Sequence, residues 1–273
     1  MKASNRACPA LSKMEKIVEK AIKPIYRIYE KYLWSQIKNK DMPQHIAIIP
    51  DGNRRWARRQ GLEEFIGHRV GYERAQDVLQ WIWDLGVKVV TIYVLSTENC
   101  IKRSKEEREH IFFLLTEALK KIKEERRIYD SKVKVRVIGN ESLIPDDVKR
   151  LAREVEIATA NHGERLLNIA VCYGGRYEII EAIKSIARDF SSGKLRIDEI
   201  DEKLVSSYLF TKDSPDPDLI IRTSGEERIS NFLLWQSAYS ELYFTDVYWP
   251  EFRKIDLWRA IRSYQKRRRN FGS

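Results

Sequence analysis

Short, nearly unbroken apolar runs alternate along this chain with longer stretches whose apolar residues recur every three or four positions. The runs HIAIIP (45–50), VKVVTIYVLS (87–96), KVKVRVIG (132–139), RLLNIAVCYG (165–174) and PDLIIRTSG (217–225) predict five strands, and ELYFTDVYW (241–249) predicts a sixth. Where apolarity is nearly continuous, as in HIAIIP, it marks a strand covered on both faces, whereas KVKVRVIG alternates. The stretches between them predict amphipathic helices over 67–86, 104–125, 145–163 and 175–190, with a terminal helix over 255–271. Gly86 is a fitting C-terminal stop, Pro145 a fitting start, and Ser104 with Glu107 stands in capping-box register. Strands alternating with helices of this length predict an α/β fold: a mainly parallel six-stranded sheet with helices on both faces. No internal repeat or low-complexity linker interrupts residues 41–273, which read as a single domain.

Ahead of that domain, residues 14–38 place Met14, Ile17, Val18, Ile22, Ile25, Ile28, Tyr29, Tyr32, Leu33 and Ile37 at helical spacing, with lysines and arginines elsewhere. Residues 1–40 are therefore an N-terminal helical arm, with Pro24 a place for a kink. Two uses fit it: a helix docked on the body, or a basic amphipathic helix lying on anionic lipid.

Charge sharpens the picture. The formal net charge is +10, which points to phosphorylated partners: nucleic acid, an anionic membrane, or phosphate-bearing small molecules. The three cysteines, Cys8, Cys100 and Cys172, are scattered and lack CxxC spacing, so neither a disulfide framework nor a zinc knuckle is expected. No apolar run approaches the roughly 20 residues that span a bilayer, and no signal peptide is evident. The expected place is the cytoplasm, with peripheral contact on the inner face of the cell membrane.

In open α/β sheets ligands gather at the carboxyl ends of the strands. The first strand is followed by Asp51, Gly52, Asn53, Arg54, Arg55 and Trp56, and the second ends in Ser96, Thr97, Glu98 and Asn99. The fourth leads into Gly174, Gly175 and Arg176, and the fifth into Arg222, Thr223, Ser224 and Gly225, with Arg228, Ile229 and Ser230 beyond. Together these turns predict a phosphate-binding cleft. Arg54 and Arg55 supply forked, permanently charged donors, and Gly52 lets backbone approach a ligand. An ionised Asp51 beside a diphosphate suits a magnesium ligand; its alternative is a helix N-cap. Neither GxxxxGK[ST] nor GxGxxG occurs, which disfavours nucleotide-loop and dinucleotide enzymes.

The stretches HIAIIPDGNRRWARRQG, GHRVG, LSTEN, NIAVCYGGR, DLIIRTSGEERISNFLLWQSAYSELYFTDVYWPEF and RRNFG occur in this order from residue 45 to the C-terminus. In them the chain resembles the cis-prenyltransferases, the undecaprenyl diphosphate synthase family. The resemblance implies a magnesium-dependent condensation of isopentenyl diphosphate onto an allylic diphosphate, farnesyl or geranylgeranyl. Each addition creates a cis double bond, and the long polyprenyl diphosphate formed is a lipid-carrier precursor for glycan synthesis. It also implies a homodimer, for which NFLLWQSAYSELYF (231–244) is a fitting interface.

By the same resemblance, Asp51 is the essential aspartate, and Gly52, Asn53, Arg54, Arg55 and Trp56 cradle the allylic diphosphate near His68. Ser96, Thr97, Glu98 and Asn99 belong to the loop beside the reacting carbons, with Asn99 and Ser96 in the proton relay and Arg103 as the loop arginine. Arg222, Arg228, Ile229 and Ser230 match the isopentenyl diphosphate pocket, and Glu241 is a second magnesium carboxylate beside Asp51. Departures fall at Cys100, where an aromatic is usual, at Ile101, which reads as an insertion, and at Glu64, Glu227 and Asn270. Val78, Leu79, Ile82, Ile111, Leu115, Leu119, Val135 and Val137 are candidates to line a product tunnel, or are ordinary core. Competing classes are a non-catalytic partner subunit, a nucleic-acid binder and a trans-type synthase. An intact Asp51 with its arginines opposes the first. The scattered arginines and the lack of any DDxxD oppose the others, and no nucleic-acid partner is expected.

Overall fold

The computed structural model describes residues 13–267, with side chains from Pro24 onward. The elements run α1 (Lys13–Ile37), β1 (His45–Ile49), α2 (Asn53–Arg59), α3 (Glu64–Asp84), β2 (Val89–Ser96), α4 (Thr97–Lys102), α5 (Lys105–Glu124), α6 (Arg126–Asp130) and β3 (Val133–Ile138). They continue as α7 (Asp146–Ala158), β4 (Arg165–Tyr173), α8 (Gly175–Ser191), α9 (Glu202–Tyr208), β5 (Leu219–Arg222), β6 (Glu241–Phe244) and α10 (Lys254–Lys266). The six strands form one sheet in the order β3-β4-β2-β1-β5-β6, and every pairing is parallel. β1 is buried at every position, as its unbroken apolar run requires of a central strand.

From β1 the chain first builds outward on one side through β2 and then adds β5 and β6 on the other. The reversal lies between β1 and β5, where Ile49 is level with Arg222. A crevice at the carboxyl ends of the strands is expected at such a switch point, and it brings Asp51 and Arg222 together.

The arm docks on the body. Leu33 and Ile37 of α1 are wholly buried in the main core with Leu257, Trp258 and Ile261 of α10. Trp34 lies against Trp258 with ring centroids 5.5 Å apart, and Arg253 and Arg259 cover Tyr26 and Tyr29. Ile25, Ile28 and Tyr32 nevertheless stay exposed. The RRNFG motif, Cys8 and the side chains of Met14 to Ile22 lie outside what is described. Among the described residues no helix is long and apolar enough to cross a membrane.

One expectation is corrected. Cys100 and Cys172 are joined by a disulfide, their Cα atoms 5.5 Å apart across 72 residues of sequence. Spacing along the chain could not reveal it, because the fold alone brings α4 against the end of β4. Closing a loop of this length stabilises by about 4 kcal/mol in the chain-entropy picture.

At the opposite, amino-terminal end of the sheet, His45 is buried with Nδ1 2.7 Å from the Pro215 carbonyl and Nε2 2.8 Å from Thr91 Oγ1. Burial lowers its pKa to about 4, against smaller raising effects of the Pro215 bond and Asp218. In the unfolded chain the ring titrates near 6.5. Below that pH the unfolded state binds more protons, so stability is full above pH 6.5 and falls toward pH 4. The loss from this one group is about 2–3 kcal/mol at pH 4.5. In denaturant melts, His45→Asn should flatten the stability profile between pH 6.5 and 4.5. An unchanged slope would contradict the assignment.

Candidate active site

Asp51 is held by its backbone before its side chain acts. Its N–H meets Ile49 O at 3.0 Å and Thr223 Oγ1 at 2.9 Å, and its carbonyl accepts from the Thr223 hydroxyl at 2.7 Å and from Trp249 N at 3.0 Å. Gly52 follows with φ of 101°, a conformation that glycine adopts without strain. A Cβ there would lie 2.7 Å from the Tyr248 ring and 2.8 Å from Ser224 Cβ. Gly67 and Gly71 of GHRVG serve close approach instead, letting Asn53 of α2 sit against α3.

The carboxylate then becomes the centre of a charged cluster. Arg222 Nη2 donates to Asp51 Oδ2 at 2.8 Å, Arg55 Nη2 stands 3.4 Å from Oδ1, and Gly52 N donates to Oδ1 at 2.6 Å. Burial alone would raise the Asp51 pKa. The hydrogen bond and charge of Arg222, then Arg55 and the Gly52 N–H, outweigh it and hold the pKa below the ordinary value. Arg222 is buried and also donates to Ser230 Oγ at 2.6 Å and to the Arg228 carbonyl. Arg55 reaches the Ser224 hydroxyl and Glu226, and Arg228 pairs with the same Glu226. Asp51, Arg55, Arg222, Arg228 and Ser230 are thus one assembly, while Ile229 joins it through the chain between the last two.

A second group lies on the other side of α2. Glu107 accepts from Arg103 at 2.8 Å, meets His68 Nε2 at 3.2 Å and stands 3.6 Å from Arg54. Burial, then the Arg103 charge, lowers the His68 pKa to about 4, so its ring is neutral at neutral pH. Glu64, at the start of α3, pairs with Arg58 and Arg54. Arg103 thus stands in one group with Arg54 and His68 around Glu107. The Nε–H groups of Arg103 and Arg222 are buried and find no acceptor among the described residues.

β2 delivers the third side. Ser96 Oγ accepts from Asn99 N at 3.1 Å and caps α4, and the Thr97 hydroxyl donates to the Cys172 carbonyl at 2.8 Å. Glu98 accepts from Asn231 at 2.8 Å. The Tyr93 hydroxyl, which donates to Tyr173 O at 3.0 Å, ties this loop to the one carrying Ser230. The latter loop has Ser224, Ser230, Asn231 and Leu233 at positive φ, a concentration of strain typical of functional segments. Trp56 is half-buried on α2.

Glu241 does not join Asp51 within one chain. It opens β6 level with Leu219, three residues before Arg222, or about 10 Å along the strand. Its carboxylate accepts from Arg267 at 2.5 Å. A residue before an apolar strand lies at the strand's amino end, whereas the crevice is at the carboxyl end. The tunnel candidates Val78, Ile82, Ile111, Leu115, Leu119 and Val135 are packed in the main core, with Leu79 and Val137 against it. Of NFLLWQSAYSELYF, Phe232 and Leu233 are buried in a second core cluster. Glu226 and Glu107, which each gather two or more cationic groups, went unread in the sequence. Glu107 looked like a capping residue, but only the Ser104 half of that box forms; its carboxylate turns to the arginines.

Residues 49–272 match the prenyltransferase family described as undecaprenyl diphosphate synthase. The chain is 54% identical over 259 residues to the tritrans,polycis-undecaprenyl-diphosphate synthase (geranylgeranyl-diphosphate specific) of Methanopyrus kandleri, covering 95% of each. It is 50% identical to the protein of the same description from Sulfurisphaera tokodaii, covering 95% of this chain and 99% of that one. Among solved structures, lavandulyl diphosphate synthase from Lavandula x intermedia in complex with dimethylallyl diphosphate superposes with a TM-score of 0.81. That match has 35% identity and covers 85% of this chain and 99% of the other.

Proposed function

The chain belongs to the undecaprenyl diphosphate synthase family and is a cis-prenyltransferase, and we propose that it extends geranylgeranyl diphosphate with isopentenyl diphosphate, with magnesium, at the β1/β5 crevice. The observation that carries this reading is the Asp51 carboxylate held between Arg222 and Arg55, with Arg228 and Ser230 in the same assembly. The descriptions of the two relatives favour geranylgeranyl over farnesyl as starter. The product is a long polyprenyl diphosphate that serves as precursor of a lipid carrier for glycan synthesis.

Arg54 and Arg55 hold the allylic diphosphate, with His68 as an uncharged donor and Arg103 closing from the loop side. Arg222, Arg228 and Ser230 hold isopentenyl diphosphate. Asn99 and Ser96 orient the proton that leaves the new chain toward a phosphate oxygen. The described residues hold no cluster of three metal-ligating side chains. Asp51 alone still fits magnesium, which typically takes one or two carboxylates, substrate phosphates and waters. Magnesium at Asp51 would neutralise charge growing on the departing pyrophosphate.

Labelled isopentenyl diphosphate, offered with geranylgeranyl or farnesyl diphosphate and magnesium, tests the reading by chromatography of the products. Long labelled chains with geranylgeranyl preferred are expected, and turnover should vanish in excess chelator and return with magnesium. No elongation, or full turnover in chelator, would contradict it.

The protein acts as a homodimer at the membrane surface. Among the described residues no further strand pairs with β6 at its edge of the sheet, which supports dimerisation there. The exposed stripe Ile25, Ile28 and Tyr32 runs beside exposed Arg27 and Lys31, which supports α1 resting on anionic lipid. Deleting the arm would strip Leu33 and Ile37 from the core, so the test is I25E/I28E/Y32E. It should weaken binding to anionic vesicles by at least about tenfold, with turnover in detergent unchanged. Undiminished vesicle binding would contradict the lipid role.

A further inference from the structure

Helix α4 carries Asn99 and leads into Arg103, yet little holds it. It is six residues long, too short to persist unaided, and Cys100 is its one buried side chain. That side chain is bonded to Cys172, the wholly buried residue before the end of β4. The Thr97 hydroxyl donates to the carbonyl of the same Cys172 at 2.8 Å. Cys172 has φ of 47°, in the left-handed region that L side chains rarely adopt, and β2 loses register against β4 between Tyr93 and Ser96. The neighbouring backbone thus departs from regular strand geometry where α4 is fastened. The other ties are polar: Asn231 to Glu98 and Arg108 to the Cys100 carbonyl, each 2.8 Å, and an ion pair from Arg103, the residue after the helix, to Glu107 at 2.8 Å.

We propose that the Cys100–Cys172 disulfide is a positioning element for chain elongation: it fixes α4 on the carboxyl end of β4 and so holds Asn99 at the crevice. The role of Asn99 given above is its premise. Neither sulfur touches substrate. Polar anchors at Thr97 and Glu98 leave α4 free to shift by the ångström or so that ruins an oriented transfer.

The test begins with protein alkylated at lysis, denatured and counted for free thiols. Cys8 alone should react, and all three cysteines should react after reduction; three reactive thiols without reduction would overturn the proposal. Dithiothreitol supplies two electrons and two protons, yielding two thiols and its own cyclic disulfide. In reduced wild type and in Cys100→Ser, assayed well below their melting temperatures, kcat should fall at least about tenfold with both KM values within about twofold. Hydrogen exchange should quicken in residues 97–103 and not in β1 or β5. In an Asn99→Ala background, reduction should cost little further kcat. Unchanged kcat, an undiminished loss in that background, or global unfolding on reduction would each overturn it. Thiol counts and exchange report on the tie even if no elongation occurs, whereas absent elongation in oxidised wild type would count against the proposed function instead.

Discussion

Asp51→Ala should lose at least about a thousandfold in kcat, roughly 4 kcal/mol of barrier, while allylic diphosphate still binds. Arginines at a helix start would hold a diphosphate well without any acid. An acid among them repels the ligand unless a cation lies between, so its benefit must come as the bond to pyrophosphate breaks. An interaction that strengthens only then raises turnover rather than affinity. The geometry adds a cost that an exposed turn acid would not carry. Asp51 is the carboxylate partner of Arg222, whose side chain is only 5% exposed. Its loss should destabilise the fold by about 1–3 kcal/mol, leaving the protein folded through the bonds from Arg222 to Ser230 and the Arg228 carbonyl. Because the Asp51 pKa is depressed, this stabilising contribution is present above the unfolded value near 3.8 and is lost as pH falls through the folded one. Steady-state kinetics with a melting curve on the same preparation check both effects. Near-normal turnover would make Asp51 a structural residue.

Arg222→Ala should raise the KM for isopentenyl diphosphate by about ten- to a hundredfold through loss of charge-assisted bonds worth roughly 1.5–3 kcal/mol. Since Arg222 also braces Asp51 and Ser230, kcat and stability should fall with it. Arg228 is 60% exposed, and among the described residues its side chain pairs with Glu226. Arg228→Ala should therefore show the KM effect with little loss of stability. The Asp51 and Arg222 losses should not add, because the two groups are bonded to each other. Equal isopentenyl kinetics in both single variants and the wild type would refute the pocket.

The sheet was legible because β1, β2, β4 and β5 are buried on both faces and so read as unbroken apolar runs between helical periods. Asp51, Arg54, Arg55, Arg222 and Arg228 were legible because each lies at or just beyond the carboxyl end of a strand in a parallel sheet. Strand order was less accessible, since no local signal says that β5 pairs with β1. Two features were hidden for different reasons: Cys100 and Cys172 meet only after folding, and Glu107 was disguised by its capping position. Glu241, read from sequence beside Asp51, opens β6 level with Leu219, at the amino end of its strand. The docking of α1 was open in sequence because Leu33 and Ile37, which bury, and Ile25, Ile28 and Tyr32, which do not, share one apolar periodicity.

The most direct test of the account is a single-turnover quench with Asp51→Asn, in which isopentenyl diphosphate and magnesium are saturating and labelled geranylgeranyl diphosphate is limiting. The substitution keeps the side chain's size and an acceptor oxygen while removing its charge. The account predicts that allylic diphosphate affinity stays within about threefold while the rate of carbon–oxygen bond cleavage falls by at least about a thousandfold. Cleavage at near the wild-type rate, or a loss confined to binding, would contradict it.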